Sequence, residues 1–295
     1  MMVGAANALV VRDGSEGGMI DLKQLAHMEE ARIAAGVADV ADEARPFAGG
    51  TMARGKPGTW CNFVCGAGLD GAVSEDELAL AETFFTEKGL EPRIELSPYA
   101  HPAFIAQLES RGWTVRGFES VLFREIHRAE QFAALHDTPA GLQIVIVPKD
   151  DAGLLHTFAW TSVSGFLPDG RDPTDDELAL AKRCALHQRT WGFLAMIDGA
   201  PASAGACEVM QTPRGTIAAL FGLSTLPAFR RRGIQQALIA ARLAFARDRG
   251  ASVATIGGLP GAGTERNVRR MGFQVAYTKA IMVKPGPGLV RVPGM

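Results

Sequence analysis

The chain has 295 residues, 47% of them hydrophobic and 21% charged, with a formal net charge of −2. That length accommodates two domains of ordinary size, and that balance supports a packed core and excludes wholesale disorder. The near-neutral charge argues against nucleic acid as a partner, and no apolar run approaches the ~20 residues that cross a membrane.

In chain order, Met1 to Val11 is apolar but has neither a basic leader nor a cleavage site, so no signal peptide is read. Asp21 to Ala35 patterns as a helix, with Leu22, Leu25, Ala26 and Met28 on one side. Gly49-Gly50 and Gly55 to Gly58 are turns. Thr59 to Val64 alternates and is read as a strand. Gly66 to Gly71 fits Gly-x-Gly-x-x-Gly, but its acidic neighbours Asp70, Glu75, Asp76 and Glu77 would repel a phosphate. Ser74 to Glu77 is a capping box that opens a helix, and Gly89 closes it near Lys88. Pro92 to Leu96 is a strand, Pro102 to Ser110 a short helix, and two β segments follow at Trp113–Arg116 and Ser120–Ile126.

A polar stretch near 129–141 separates this unit, 1–130, from a second, 141–285. Leu142 to Val147 is a strand. Asp151–Val163 and Thr174–Gln188 are helices, the second with a capping box of its own. Trp191–Ile197, Ala202–Met210 and Thr216–Leu223 are strands. A helix from Gly233 to Arg249, a strand at Ser252–Ile256, a helix at Thr264–Met271 and β structure over Phe273–Val283 complete the unit. The proline- and glycine-rich end, 286–295, is expected to be mobile. The units echo one another: each runs helix, glycine, strand, helix, glycine-aromatic, β structure, with Gly89 and Gly112 answered by Gly250 and Gly272. This is the pattern of a duplicated α/β unit.

The most informative stretch is Leu220 to Ile239. An apolar strand leads through Pro227 into Arg230, Arg231 and Arg232, and Gly233 opens a helix whose Ile234, Leu238, Ala241 and Phe245 form one apolar face. Three cations, a glycine and a helix N-terminus at one point suit an anionic phosphate, because the first amides of a helix lack intrahelical partners and its dipole favours negative charge.

Arg230-Arg-Arg-Gly-Ile-Gln235 resembles the Arg/Gln-x-x-Gly-x-Gly/Ala loop of the GCN5-related N-acetyltransferase family. The strand–loop–helix–strand–helix–Gly-Phe order extends the resemblance over about 141–285. It implies an α/β fold (α+β by some schemes) of two acyl-CoA N-acyltransferase-like domains, each a mixed, mostly antiparallel sheet flanked by helices, the first without a working loop. It implies acetyl-CoA as co-substrate, with the pyrophosphate held by Arg230, Arg231, Arg232, Gly233, Ile234 and Gln235. Leu223, Ser224 and Thr225 would bond the pantetheine through their backbone, and Asn267 would lie at the same ligand. The implied reaction is transfer of acetyl to a primary amine of a small molecule or peptide, by direct attack. Oligomeric state and acceptor are left open.

The chain departs from that pattern in three places. Gln235 replaces a small residue. Val268 stands where the family often has a tyrosine that protonates the thiolate. The strand 216–225 carries no carboxylate to act as a base. Glu208 on the preceding strand and Tyr277 are the candidate catalytic residues, with Thr264 or water as substitutes for the tyrosine. A non-catalytic acyl-CoA-binding sensor is the competing function. The six histidines show no ligand spacing, so no metal site is read. The four cysteines lack zinc-type spacing and are expected to be buried thiols of a cytoplasmic protein. Trp160 and Phe166, flanking Ser164-Gly165, lie where the family covers its acceptor.

Overall fold

A computed structural model describes residues 20–168 and 171–292. The apolar N-terminal stretch therefore lies outside the described residues. The chain opens with α1 (Leu22–Val40), a hairpin of β1 (Glu43–Phe47) and β2 (Gly50–Arg54), and β3 (Phe63–Cys65). Then come α2 (Glu75–Thr86), β4 (Arg93–Leu96), α3 (Pro102–Ser110) and β5 (Thr114–Glu125). The second half runs β6 (Leu142–Ile146), α4 (Ala152–Ser164), α5 (Asp175–Leu186), β7 (Thr190–Ile197), β8 (Ala200–Thr212) and β9 (Gly215–Thr225). It ends with α6 (Ile234–Asp248), β10 (Val253–Gly258), α7 (Gly263–Arg270) and β11 (Gln274–Val283). Among the described residues no helix is long and apolar enough to cross a membrane.

Local chemistry accounts for most of these boundaries. Asp21 caps α1 through the Lys23 amide at 2.8 Å, and both capping boxes form, at Ser74/Glu77 and Thr174/Glu177. Four chain reversals repeat one geometry. Gly89, Gly112, Gly250 and Gly272 all have positive φ. The residues after them donate back into the preceding helix: Leu90 to Phe85, Trp113 to Leu108, Ala251 to Ala246 and Phe273 to Val268. This is the helix stop that glycine permits, made twice in each half at matching places.

All the strands join one sheet, ordered β1-β2-β3-β4-β11-β5-β10-β9-β8-β7-β6. Most neighbours are antiparallel; β3/β4 and β9/β10 are parallel. The two halves exchange their closing strands. β5 lies between β10 and β11, and β11 lies between β4 and β5. The β5/β11 ladder runs from Gln274↔Phe123 to Val283↔Thr114. A sequence boundary at 130–141 therefore crosses a continuous ladder. The two β segments expected at Trp113–Arg116 and Ser120–Ile126 are one strand, since Gly117, Phe118 and Glu119 between them pair with Ile281, Ala280 and Lys279.

Helices cover both faces. Phe193, Ala195 and Leu220 pack with Leu238, Leu243 and Phe245 of α6, whereas Leu194 and Ala204 pack with Leu155 and Phe158 of α4. In the first half Phe84 and Phe85 of α2 and Phe104 and Leu108 of α3 bury Val64, Ile94 and Trp113. Helix α1 belongs to both halves. Its Val37 packs with Ala53 and Phe63, and its Leu25 with Val121, Ile217 and Tyr277. Arg32 meanwhile reaches Glu208 of β8. Strands β2 and β8 are seven places apart, roughly 33 Å on a flat sheet, so the sheet wraps around α1.

The end expected to be mobile is tied back over its described part. The Val290 amide donates to the Gly89 carbonyl at 2.8 Å, and the Val290 carbonyl accepts from the Glu91 amide at 3.0 Å. Residues 293–295 lie outside the described residues.

Candidate acyl-CoA site

The site is built where β9 ends. Strands β9 and β10 pair with each other only over Ile217–Ala219 and Val253–Thr255, and beyond that each keeps only its other neighbour, β8 to Thr225 and β5 to Gly258. A register shift against β8 between Ala204 and Ala206, with Gly222 at φ 60°, marks the bulge that turns β9 away. Arg242 of α6 braces it. This arginine is fully buried and donates to the carbonyls of Ala206 at 3.0 Å, Leu238 at 3.1 Å and Phe221 at 3.4 Å. Burial, with no facing carboxylate, lowers its pKa to about 10.

The three backbone residues expected at the pantetheine lie on this splayed segment. Leu223 is buried, Ser224 donates to the Thr161 carbonyl of α4 at 2.9 Å, and Thr225 shares a hydroxyl contact with Ser203 at 2.9 Å. Helix α4 comes so near that a Cβ built on Gly165 would lie 2.5 Å from the Ser224 Cβ; only glycine allows that approach. Near it, Phe166 is a largely exposed apolar side chain and Trp160 a partly exposed one.

Beyond Thr225 a single 3-10 turn, Pro227–Phe229, leads into the basic loop. Arg230 is used structurally, donating to the Thr225 carbonyl at 3.1 Å and the Gly165 carbonyl at 3.2 Å. Arg231 and Arg232 are exposed, and Arg232 lies over the Phe229 ring. Among the described residues no carboxylate pairs with any of the three. Gly233, at φ 76°, is the N-cap of α6 and supplies no side chain. The helical bonding begins with the Gln236 and Ala237 amides, both directed to the Gly233 carbonyl. The amides of Arg231 to Gln235 are left without a protein acceptor among the described residues. Gln235 accepts from Asn267, which fastens α7 to the first turn of α6. Five unsatisfied amides, two unpaired cations and a bare N-cap fit a pyrophosphate. The sequence leads one to expect the pyrophosphate of a CoA thioester at this loop, and these are the residues that could hold one.

The two candidate catalytic residues lie elsewhere. Glu208 is buried on β8, and both its oxygens are taken, by Arg32 at 2.8 Å and Arg189 at 3.1 Å. A carboxylate held between two guanidiniums is a counter-ion and not a free base. Tyr277 is buried on β11, donates to Glu30 at 2.7 Å and packs edge-on against Tyr99. Burial and the carboxylates Glu30 and Glu29 push its phenol well above the usual range. Val268 is fully buried in the core around α6.

What sequence reasoning missed is the polar interior under α1. Glu29, Glu30 and Arg32 of this helix are all buried. Glu29 pairs with Arg32 and accepts from Thr255 at 2.7 Å. Glu30 meets Lys279 at 3.1 Å, and Lys279, itself buried, reaches Glu95 at 3.4 Å. Those carboxylates hold the Lys279 ammonium charged, against the effect of burial. A fourth carboxylate of this group, Glu119 of β5, is only half-buried. Burial beside Glu95 raises its pKa to about 7, with Lys279 and Arg93 pulling the other way.

Residues 155–273 match the family model for Acetyltransferase (GNAT) family. Among solved structures, the chain is similar to a GCN5-related N-acetyltransferase from Kribbella flavida. The TM-score is 0.60 at 19% identity, covering 87% of this chain and 96% of that one. It is also similar to a tandem GNAT protein from the clavulanic acid biosynthesis pathway, with TM-score 0.55, 12% identity, and 90% and 88% covered. A third is a GCN5-related N-acetyltransferase from Sphaerobacter thermophilus, with TM-score 0.52, 17% identity, and 73% and 70% covered. At these identities the likeness is one of fold. No curated protein matches the chain in sequence.

Proposed function

Residues 155–273 form a domain of the acetyltransferase (GNAT) family, and from that premise we propose that the chain moves an acetyl group from acetyl-CoA to a primary amine of a small molecule or peptide. The observation that carries this reading is the bare N-terminus of α6, where five amides and two arginines have no protein partner among the described residues, at the mouth of the β9/β10 splay. Acetyl-CoA supplies an activated acyl group. The chain would supply position: the Arg231–Gln235 amides would hold the diphosphate, Leu223 to Thr225 would line the arm, and the bulged backbone near Gly222 would be available to polarise the thioester. Fixed dipoles of that kind lower a barrier because they need no reorganisation as charge develops. The amine attacks directly, with Trp160 and Phe166 on the acceptor's side.

The first half keeps the scaffold but its helix α2 is already capped, so it shapes the site and holds no second CoA. Four buried, unpaired thiols suit a cytoplasmic location. Thiol release from acetyl-CoA over a panel of primary amines tests the proposal, alongside calorimetry with CoA. A second reading, an acyl-CoA sensor, is favoured by Val268 in the core and by Glu208 locked between arginines. Tight CoA binding with no thiol release on any amine would favour the sensor.

A further inference from the structure

The strand exchange sets one carboxylate of the first half against the splayed strands of the second. Glu119 of β5 is paired with Lys279 of β11. Two residues along the same face, Val121 pairs with Gly257 of β10. Glu119 leans across this face towards β10: a Cβ built on Gly257 would lie 2.5 Å from its Oε1. The missing side chain at Gly257 is what admits the carboxylate. Continuing the Val253↔Ile217 and Thr255↔Ala219 register brings Gly257 level with Phe221, next to the bulged Gly222. The carboxylate thus stands at the splay, at the height where β9 turns aside.

Its neighbours set it apart from every other acid in the cluster. Glu29, Glu30, Glu95 and Glu208 are buried and bonded to Arg32, Lys279, Arg93 or Arg189. Glu119 is partly buried and is bonded to no cation: burial acts on it first, then the charges of Glu95 and Arg93 from β4, Lys279 from β11 and Glu30 from α1. Neither oxygen is hydrogen-bonded among the described residues.

We propose that Glu119, delivered by the exchanged strand of the first half, is the base that takes the proton from the acceptor ammonium in the second half's site. This rests on the acetyltransferase reading above. The Glu119 carboxylate takes one proton from R–NH3+. The freed nitrogen lone pair bonds to the thioester carbon, and the C–S bond breaks with its electron pair on sulfur. The second amine proton passes to that thiolate, and Glu119 returns its own to water. A carboxyl that titrates near neutrality suits the task, since the base must be ionised at working pH yet basic enough to accept.

The test is Glu119→Gln in the full chain. Lys279 keeps Glu30 and Glu95 as partners, so the fold should hold. The variant is expected to bind acetyl-CoA within about two-fold of wild type by calorimetry. Its thiol release with amines, or with water alone as acceptor, should fall by roughly 100-fold or more, and the limb of the pH–rate profile near 7 should vanish. Isotope-edited infrared titration of the wild-type chain should find the Glu119 carboxyl ionising near 7. A CoA-binding variant with an unchanged rate and limb, or a Glu119 that ionises near 4, overturns the inference. Wild-type protein that fails to bind acetyl-CoA overturns the acetyltransferase reading itself.

Discussion

The two halves each send a strand into a glycine-bearing loop and then a helix, yet the two helix starts are opposites. At α2, Ser74 caps the Glu77 amide at 3.2 Å and Glu77 reaches back to the Ser74 amide at 2.8 Å, with Glu75 and Asp76 beside them. The cap takes up the Glu77 amide, and three acids in the first turn oppose the helix dipole, so an anion is repelled there. At α6 the N-cap is Gly233, with no side chain and no acid in the first turn, and the flanking residues are arginines. The two helices share a scaffold position, but only one leaves its dipole and amides for a ligand. A helix start becomes an anion site by what the chain withholds from it.

The largest change should come from the seam that both halves share. Lys279→Met leaves Glu30 and Glu95 without their shared cation, which costs about 3–5 kcal/mol. Chemical denaturation should then show the whole chain losing stability in one transition, because the seam belongs to neither half alone. Gly233→Val attacks the open helix start directly. A β-branched side chain is strained at φ 76° and would crowd the Asp137 carbonyl, 3.3 Å from a Cβ there. CoA affinity by calorimetry should drop by about 100-fold or more, and an unchanged value would remove the site from this loop.

Glu119 gives a smaller, pH-dependent contrast. Its pKa is raised to about 7 in the fold, so its contribution to stability is full below about 4.5 and is lost as pH rises through 7. Between pH 5 and 8 the wild type should lose about 1–2 kcal/mol that Glu119→Gln does not lose, allowing for its partial exposure. The smallest effect belongs to the capped start: Ser74→Ala should cost about 1 kcal/mol of stability. CoA affinity should not move. A fall in affinity would mean that the first half takes part in holding the ligand.

The loop, its helix and the repeat of glycine stops were legible in the sequence because each is local. Capping boxes, Arg230 to Gly233, and the Gly-aromatic pairs declare themselves within a few residues. The hairpin β1–β2 was not, since Ala48-Gly49 looks like any loop turn and β1 carries the sequence Glu-Ala-Arg-Pro-Phe. Thr59 to Asn62 patterned as strand but folds as a turn, in which the Asn62 amide nitrogen bonds the Lys56 and Thr59 carbonyls. The polar interior was invisible for a different reason. Glu29, Glu30 and Arg32 look like the solvated face of α1 until β8 and β11 bring Glu208 and Lys279 to meet them. Glu119 was hidden twice over, by falling between two segments that read as separate strands and by a neighbour, Gly257, far along the chain.

The exchanged strands also set a timetable for making the protein. β5 leaves the ribosome with its partners unmade, for Glu125 waits on Val253 about 130 residues later. At the usual 5–20 residues per second that interval is on the order of ten seconds. During it, both edges of β5 offer unpaired amides and carbonyls to any other strand nearby. Newborn chains should therefore be at their most vulnerable to one another, and most in need of a chaperone, after the first half is complete and before β10 and β11 arrive.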